Sequence, residues 1–512
     1  MTMFSEYLHL CSILYFAAMA GLAMYGLHRI WLLVCWHREN RKKNPERLLQ
    51  SPTVKYYPLV TVQLPLYNER FVAERLIDAS AMLQWPKEKI EIQVLDDSDD
   101  DTDQIIDDRI RYWSQKGITI HVLRRKNRAG FKAGALSHGL TRANGEFIAV
   151  FDADFLPTPD FLLRTVPCFS DQKIGMVQAR WGFLNTEHSW LTAVQSLLLG
   201  QHFSIEHFVR FRRGLFFNFN GTAGIWRRRA IESAGGWQSD TVTEDLDLSY
   251  RAQLAGWRFV YCDDLVVSSE LPVTLASFRS QQQRWAKGSI QTAKRILPRL
   301  LAARLPLQVK CEAIAHLMAN FCWLLSTIVT LTLYATITWR VSIGPYQMLR
   351  LDAPLFMATS FILFFYFFIY AMKQTRKISF GHLLMLPVLT IGIAPSIALS
   401  VVEGLIFSGG VFHRTPKFGL RGGEHMPKLA FLYRQQSLPY ILMNSILLFY
   451  SLLPLMFVYQ RGTWLAIPFV MLFPSGFLLV ICRDMMELSR VVPRGKKREE
   501  TRPEERSLVS SA

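Results

Sequence analysis

Asp152 and Asp154 stand two residues apart in Phe-Asp-Ala-Asp-Phe, directly behind an apolar run. In an extended segment residues i and i+2 point to one side, so both carboxylates can face one cation. Hard oxygen donors of this kind suit Mg2+ or Mn2+, which would bridge them to a diphosphate and neutralise charge on a leaving nucleotide. The plain alternative is a polar strand end that caps the next helix. Asp96 and Asp97 close a second apolar run, where a carboxylate can accept hydrogen bonds from a base or ribose. Asp99–Asp101 read instead as an Asx turn.

Thr243-Glu244-Asp245 precedes an amphipathic stretch, Leu246–Ala255, that ends at Gly256. Thr241 with Glu244 fits a capping box, and acids favour a helix N-terminus whatever the function. The chemical reading makes Asp245, with Glu244 beside it, the catalytic pair. Asp245 would be the base that takes a proton from an acceptor hydroxyl attacking a sugar's anomeric carbon, and one base suffices for a single inverting displacement. Cations complete the set. Arg125-Lys-Asn-Arg128 and Lys132 open a helix, which would set positive charge and free N–H groups near phosphate; a solvated basic turn is the alternative. Gln281, Arg284 and Trp285 fall at i, i+3 and i+4, on one helix face. Arg284 could pair with diphosphate and Trp285 offer a ring to a sugar, or both could sit at a membrane headgroup level.

The elements that position these residues alternate. Leu59–Leu64, Ile90–Leu95, Ile118–Leu123 and Phe147–Phe151 read as strands, and Phe71–Leu83, Gln104–Gln115 and Phe131–Arg142 as helices between them. That order is an open, doubly wound α/β sheet of nucleotide-binding type, whose ligands bind beyond the carboxyl ends of the strands. Pro65-Leu-Tyr67-Asn-Glu69 leaves the first strand there, making Pro65, Tyr67 and Glu69 donor-site candidates.

Long apolar runs flank this domain. We read 8–36 as a first membrane helix with its N-terminus outside, and 56–300 as a cytosolic domain ending in interfacial helices. Further spans are read at 314–339, 355–372, 440–459 and 464–482. The basic flanks at His37–Lys43, Lys373–Lys377, Arg414–Arg434 and Arg483–Arg502 decide the parity under the positive-inside bias. They stay cytosolic only if Leu383–Phe407 does not cross but lies along the interface, with breaks at Pro387, Gly392 and Pro395, so that 383–428 is read as an interfacial segment and gating loop. Five spans result, with 341–352 an external loop and 483–512 a cytosolic basic tail.

The chain carries a formal charge of +17, but the excess flanks apolar runs and forms no basic stripe with interleaved aromatics in a soluble segment, which argues against nucleic acid. The seven cysteines form no C-x-x-C pair and read as reduced packing residues. His202, Glu206 and His207 lack the H-E-x-x-H order and read as structural or substrate-lining.

The ordered set Leu-Pro-Leu-Tyr-Asn-Glu, Leu-Asp-Asp-Ser, Asn127-Arg-Ala-Gly-Phe-Lys-Ala-Gly, Asp-Ala-Asp, Phe219-Asn220-Gly221-Thr222-Ala223, Thr-Glu-Asp and Gln-x-x-Arg-Trp resembles glycosyltransferase family 2 of the cellulose synthase superfamily. Val177-Gln-Ala-Arg-Trp181 and Phe217–Trp226 look nearest its cellulose-synthase-like A and C branches. The resemblance implies an α/β GT-A fold, a Rossmann-like, doubly wound mixed sheet, inserted in an α-helical membrane domain. It implies metal at Asp152 and Asp154, Asp245 as base, and a nucleotide-sugar donor, UDP-glucose or GDP-mannose, held by Pro65, Tyr67, Glu69, Asp96, Asp97, Lys132, Asp152, Gln281 and Arg284. The glycan acceptor would meet Trp285, Asn220, Gly221 and Thr222. Phe412-His-Arg-Thr415-Pro-Lys417 is similar to the family's gating loop, with Arg414 where Val is usual, so Thr415 and Lys417 would reach the donor. The implied product is a β-linked polysaccharide exported through the membrane helices, accessory export proteins being possible. Transfer to a ceramide or polyprenyl-phosphate lipid is the alternative. The compact, Arg-rich chain favours a bacterial cytoplasmic membrane, with the Golgi the eukaryotic counterpart.

Overall fold

The computed structural model describes residues 2–42, 56–343, 345–373, 379–410, 414–420, 437–461, 464 and 467–491. Phe412, the segments 374–377 and 421–434 and the tail from 492 lie outside them.

Strands β1 (Val60–Leu66), β2 (Ile90–Asp96), β3 (Ile120–Arg124) and β4 (Phe147–Val150) match the four expected from sequence. Three more follow, β5 (Ile174–Phe183), β6 (Gly224–Arg227) and β7 (Arg258–Ser269), and the sheet runs β3-β2-β1-β4-β6-β5-β7. The first four are mutually parallel, β6 is antiparallel to both β4 and β5, and β7 is parallel to β5. The sheet is therefore mixed.

Its centre is buried on both faces: β4 is apolar throughout, while β1 and β2 alternate apolar residues with Thr61, Gln63, Glu91 and Gln93, which are buried and satisfy one another, Thr61 bonding to Glu91 and Gln63 Nε2 donating to Gln93 Oε1 at 3.0 Å. Alternation then divides each strand between two cores. Phe147 and Ala149 join Val60, Val62 and Leu64 beneath the helices Ala73–Ala81 and Thr102–Gln115, whereas Ile148 and Val150 join Leu136, Met176 and Trp226 on the other face. Each buried Val, Leu, Ile, Phe or Met side chain among them contributes about 1.5–3 kcal/mol.

Helix Thr2–Arg41 packs on Phe321–Ile343. Five described helices are long and apolar enough to cross a bilayer: Glu6–Arg41, Ala353–Met372, Phe380–Ile406, Leu438–Gln460 and Ile467–Ser489. A sixth would join Leu307–Leu317 to Phe321–Ile337 across a 58° bend, so the run expected as one helix over 314–339 is two. The expected loop at 341–352 is helical up to and beyond residue 344, since Pro345–Phe356 begins at once.

The expected breaks at Pro387, Gly392 and Pro395 are absent, because Phe380–Ile406 is one helix through all three. Neighbouring helices hold it. Gly392 is a crossing point: a Cβ there would lie 2.3 Å from the Gly476 carbonyl oxygen of the Ile467–Val491 helix. From Ser396 onward the helix runs beside Leu275–Ala302, with Gln283 Nε2 on Ser396 O at 3.0 Å, Lys287 Nζ on Glu403 Oε2 at 3.1 Å and Lys294 Nζ on Leu405 O at 2.6 Å.

Candidate active site

Register brings the chemistry to one sheet edge. Leu66 pairs with Asp96 and Gln63 with Val150, so Tyr67, Asp97 and Asp152 leave β1, β2 and β4 side by side. Antiparallel β6, pairing Gly224 with Val150, delivers Asn220-Gly221-Thr222 to the same edge, and the pairing of Phe183 with Ser269 adds Trp181 and Glu270. All the residues so gathered but Thr222 line an open cleft of about 1190 Å³, counting space continuous with solvent.

Sixteen of the eighteen expected site residues line it: Pro65, Tyr67, Glu69, Asp97, Lys132, Asp152, Asp154, Asn220, Gly221, Glu244, Asp245, Gln281, Arg284, Trp285, Thr415 and Lys417. Two do not. Asp96 turns to Arg124 Nε at 2.8 Å and to the Ser98 N–H at 3.0 Å, so its carboxylate braces the sheet edge instead of facing the cleft. Thr222 is fully buried, and its Oγ1 accepts from the Asp152 N–H at 2.8 Å, which positions the first aspartate of the motif. Phe131 and Ala223, non-glycine residues at φ +48° and +54°, mark strained backbone beside Lys132 and Thr222.

Each motif aspartate faces an ammonium. Lys132 pairs with Asp152 Oδ1 and donates to Gly221 O at 2.9 Å, while Lys417 Nζ lies 2.7 Å from Asp154 Oδ2. Burial pulls the Lys132 pKa down, but Asp152, Glu244 and Asp245 outweigh it and leave the pKa raised. Among the described residues no three His, Cys, Asp or Glu side chains form a ready metal cage. The donor set still fits Mg2+ or Mn2+. Two carboxylates suffice where phosphate oxygens and water complete the shell.

Asp245 lies in the first turn of Glu244–Leu254, whose N-cap is Thr243. The capping box expected from Thr241 and Glu244 does not form; Thr241 Oγ1 bonds to the Thr243 carbonyl instead, at 3.2 Å. Burial, then the neighbouring Glu244, push the Asp245 carboxyl up to about 7 against the pull of Lys132. Burial likewise pushes Glu69 up to about 8, against Arg414 at 3.0 Å. Gln281, Arg284 and Trp285, on one face of Leu275–Ala302, line the cleft.

The basic turn divides its labour. Arg125 is committed to Asp97 and to backbone carbonyls, whereas Arg128 lies 3.2 Å over the Tyr67 ring in the cleft. His202, Glu206 and His207 form a π-helical turn behind the cleft: Glu206 meets Arg210 at 3.1 Å, and His207 and His202 hold the Asn220 amide at 2.9 and 3.4 Å. Sequence reading passed over Trp181 as a site residue, and Glu270 altogether. Both lie at the ends of strands in the unread second half of the sheet, where the rule that ligands meet strand ends would have found them.

A model described as Glycosyltransferase like family 2 matches residues 58–288. Glucomannan 4-beta-mannosyltransferase 2 of Arabidopsis thaliana is 48% identical over 237 residues, 45% of this chain and 44% of the relative. Glucomannan 4-beta-mannosyltransferase 1 of Cyamopsis tetragonoloba is 43% identical over 259 residues, 49% of each. The chain thus spans about half the length of the curated relatives it matches. Among solved structures, the mannosyltransferase PcManGT of Pyrobaculum calidifontis, in complex with GDP-Man and Mn2+, superposes with a TM-score of 0.51 at 19% identity, over 78% of this chain and 99% of that one. The shared fold is the expected GT-A type with a mixed sheet. Residues 58–288, with their acidic strand ends gathered in one cleft, are a glycosyltransferase family 2 domain.

Proposed function

We propose that the chain is a membrane-embedded inverting hexosyltransferase that extends a β-linked polysaccharide from a nucleotide sugar. One observation carries this reading: Asp245 opens into the same cleft as Asp152 and Asp154, with Arg284 and Trp285 on its wall. Asp245 takes the proton of the attacking acceptor hydroxyl, its raised pKa matching that task near neutral pH. Lys132, Arg284 and Lys417 set positive charge around the donor diphosphate, and the buried Thr415 hydroxyl, with no partner among the described residues, is free to bond it. Glu69, Gln281, Asp97 and Tyr67, the last stacked by Arg128, flank the nucleotide, and Pro65 shapes that wall. Asn220 and Gly221 face the acceptor, whose sugar ring stacks on Trp285. A divalent cation held by Asp152 and Asp154, when bound, supplies charge neutralisation for the departing nucleotide.

Of the two donors considered, GDP-mannose stands ahead of UDP-glucose because the curated relatives are mannosyltransferases. A mannan or glucomannan backbone follows, ahead of a glucan. Transfer to a ceramide or polyprenyl lipid has no observation in its favour.

The membrane reading keeps five crossings and leaves Phe380–Ile406 uncrossed. Support comes from where helix ends lie. Lys373 Nζ sits 4.1 Å from the ring of Trp36, near the domain end of the first helix, and Phe407 O accepts from Gln291 at 3.2 Å, so both flanks of Phe380–Ile406 lie on the domain side. Tyr440, at the start of the next helix, and Asp484, near the end of the last, also touch Leu275–Ala302. Plant relatives lend a bacterial cytoplasmic membrane no support, so a Golgi membrane comes first, the domain facing the cytosol. Coupled export and accessory partners belong to this reading. Incubating purified protein with a panel of radiolabelled nucleotide sugars tests it: transfer from one or two of them is expected, and transfer from none refutes it.

A further inference from the structure

Glu270 follows β7 on the cleft wall and is 2% exposed. Its carboxylate receives three consecutive backbone N–H groups from a segment far along the chain. Oε1 accepts from Phe418 at 2.9 Å, and Oε2 from Gly419 at 2.9 Å and Leu420 at 3.1 Å. Arg75 approaches from the domain side at 3.3 Å. Successive N–H groups curled around one anion form a nest, which recognises the segment's backbone conformation and not its side chains.

The rest of Glu270 faces the reaction centre. Its carbonyl oxygen accepts from Lys417 Nζ at 2.6 Å, and its N–H donates to Asp154 Oδ2 at 3.3 Å, the same oxygen that Lys417 reaches at 2.7 Å. One residue therefore holds segment 414–420 with its side chain and meets the Asp-Ala-Asp motif with its main chain. We propose that Glu270 is a positioning residue that docks segment 414–420 over the donor site and so sets Lys417 against Asp154 and the donor phosphates.

Two further features fix the docked state. Phe418 and Leu420 pack with Val273 and Phe71, seating the segment on apolar contacts beside the nest. Gly419 sits at φ +77°, where a Cβ would lie 2.8 Å from the Phe71 carbonyl oxygen, so only glycine lets the segment turn this close to the domain. Lifting the segment would strip the Glu270 carboxylate of three backbone donors and leave Arg75 as its remaining side-chain partner. Docking is thus favoured without any contact from a substrate. The inference rests on the donor-site reading above only for what Lys417 then does.

Limited trypsin digestion of the full-length protein in detergent, read by mass spectrometry at Lys417, tests the docking without a donor. Glu270→Gln replaces two acceptor oxygens by one oxygen and an amide that opposes the N–H array. Cleavage after Lys417 should rise about tenfold, since cutting tracks the open population. The donor KM should rise with it while the melting temperature of the domain holds. Gly419→Ala perturbs the same dock from the segment's side, leaves the buried carboxylate in place, and should open the segment too. Where the Glu270 variant folds it decides, and wild-type protection with an unchanged donor KM would overturn the proposal. Where it does not fold, Gly419→Ala decides in the same way, opening sustaining the dock and wild-type protection refuting it. If the segment opens as expected but no nucleotide sugar is ever turned over, the docking stands and the enzymatic reading falls.

Discussion

Gly221 and Asp245 stand so close that a Cβ on Gly221, whose φ is +80°, would lie 2.9 Å from Asp245 Oδ2 and 3.4 Å from Lys132 Nζ. The glycine thus clears the space in which the base and the lysine work. Gly221→Ala should lower kcat by roughly 10²-fold, because small misplacement of a catalytic group is costly, while the protein folds and binds nucleotide. Retention of full turnover would remove Asp245 from the reaction centre.

Asp245→Asn tests the base itself. The Asp245 Oδ1 bond to the Leu246 N–H at 2.8 Å can be kept by an amide oxygen, so the helix start should survive. Turnover should fall by roughly 10²-fold or more, with nucleotide affinity preserved, as measured by calorimetry. Lost affinity with residual turnover would make Asp245 a donor-site residue.

The same residue sets a pH dependence. Its carboxyl is raised to about 7 by burial, then by Glu244, and only the ionised form can accept a proton. In the free enzyme kcat/KM should therefore fall as pH drops below about 7 and level off above it. Persistence of this acid limb in Glu69→Gln is expected, and its disappearance there would assign the titration to Glu69.

Arg279 and Asp484 form a buried pair at 2.8 and 3.0 Å, with side chains 1% and 0% exposed, that ties the helix bearing Gln281, Arg284 and Trp285 to the Ile467–Val491 helix. Asp484→Ala would strand the guanidinium, a loss of about 3–5 kcal/mol. A thermal melt in detergent should shift down accordingly. An unchanged melt would mean the pair is dispensable for seating that helix.

The first half of the domain was legible because β1 and β2 alternate apolar with polar residues and β4 is an apolar run, each with an acid within three residues of its end, a local pattern. The second half was not. β6, Gly-Ile-Trp-Arg, holds only two apolar residues, and β7 is interrupted by Asp263 and Asp264, so neither shows a clean period. Asp96 and Asp97 were read alike since sequence cannot say which of two adjacent carboxylates turns to Arg124. The helix 380–406 was expected to break because prolines usually break helices; packing around Gly392 and Ser396 holds it whole. The strand-end rule reaches Glu270 once β7 is recognised, but its part in docking was not legible, its partners lying about 148 positions away.

Topology has its own check. In sealed vesicles with the domain inside, single cysteines replacing Met372 and Phe407, exposed residues flanking the 380–406 helix, should both escape an impermeant thiol reagent from outside. One at exposed Trp464 should react. Labelling of either flanking site would make the 380–406 helix a crossing.

The size and linkage of the product test the central claim most directly. Membranes bearing the full chain would be incubated with GDP-mannose, with and without UDP-glucose. The product would then be partitioned between organic solvent and water, sized, and digested with linkage-specific glycanases. A lipid-free glycan of many residues, cut by an endo-β-mannanase and absent from Asp245→Asn membranes, is the predicted result. Recovery of radiolabel only as a single-sugar, organic-extractable lipid, or a polymer that Asp245→Asn makes equally well, would contradict the account.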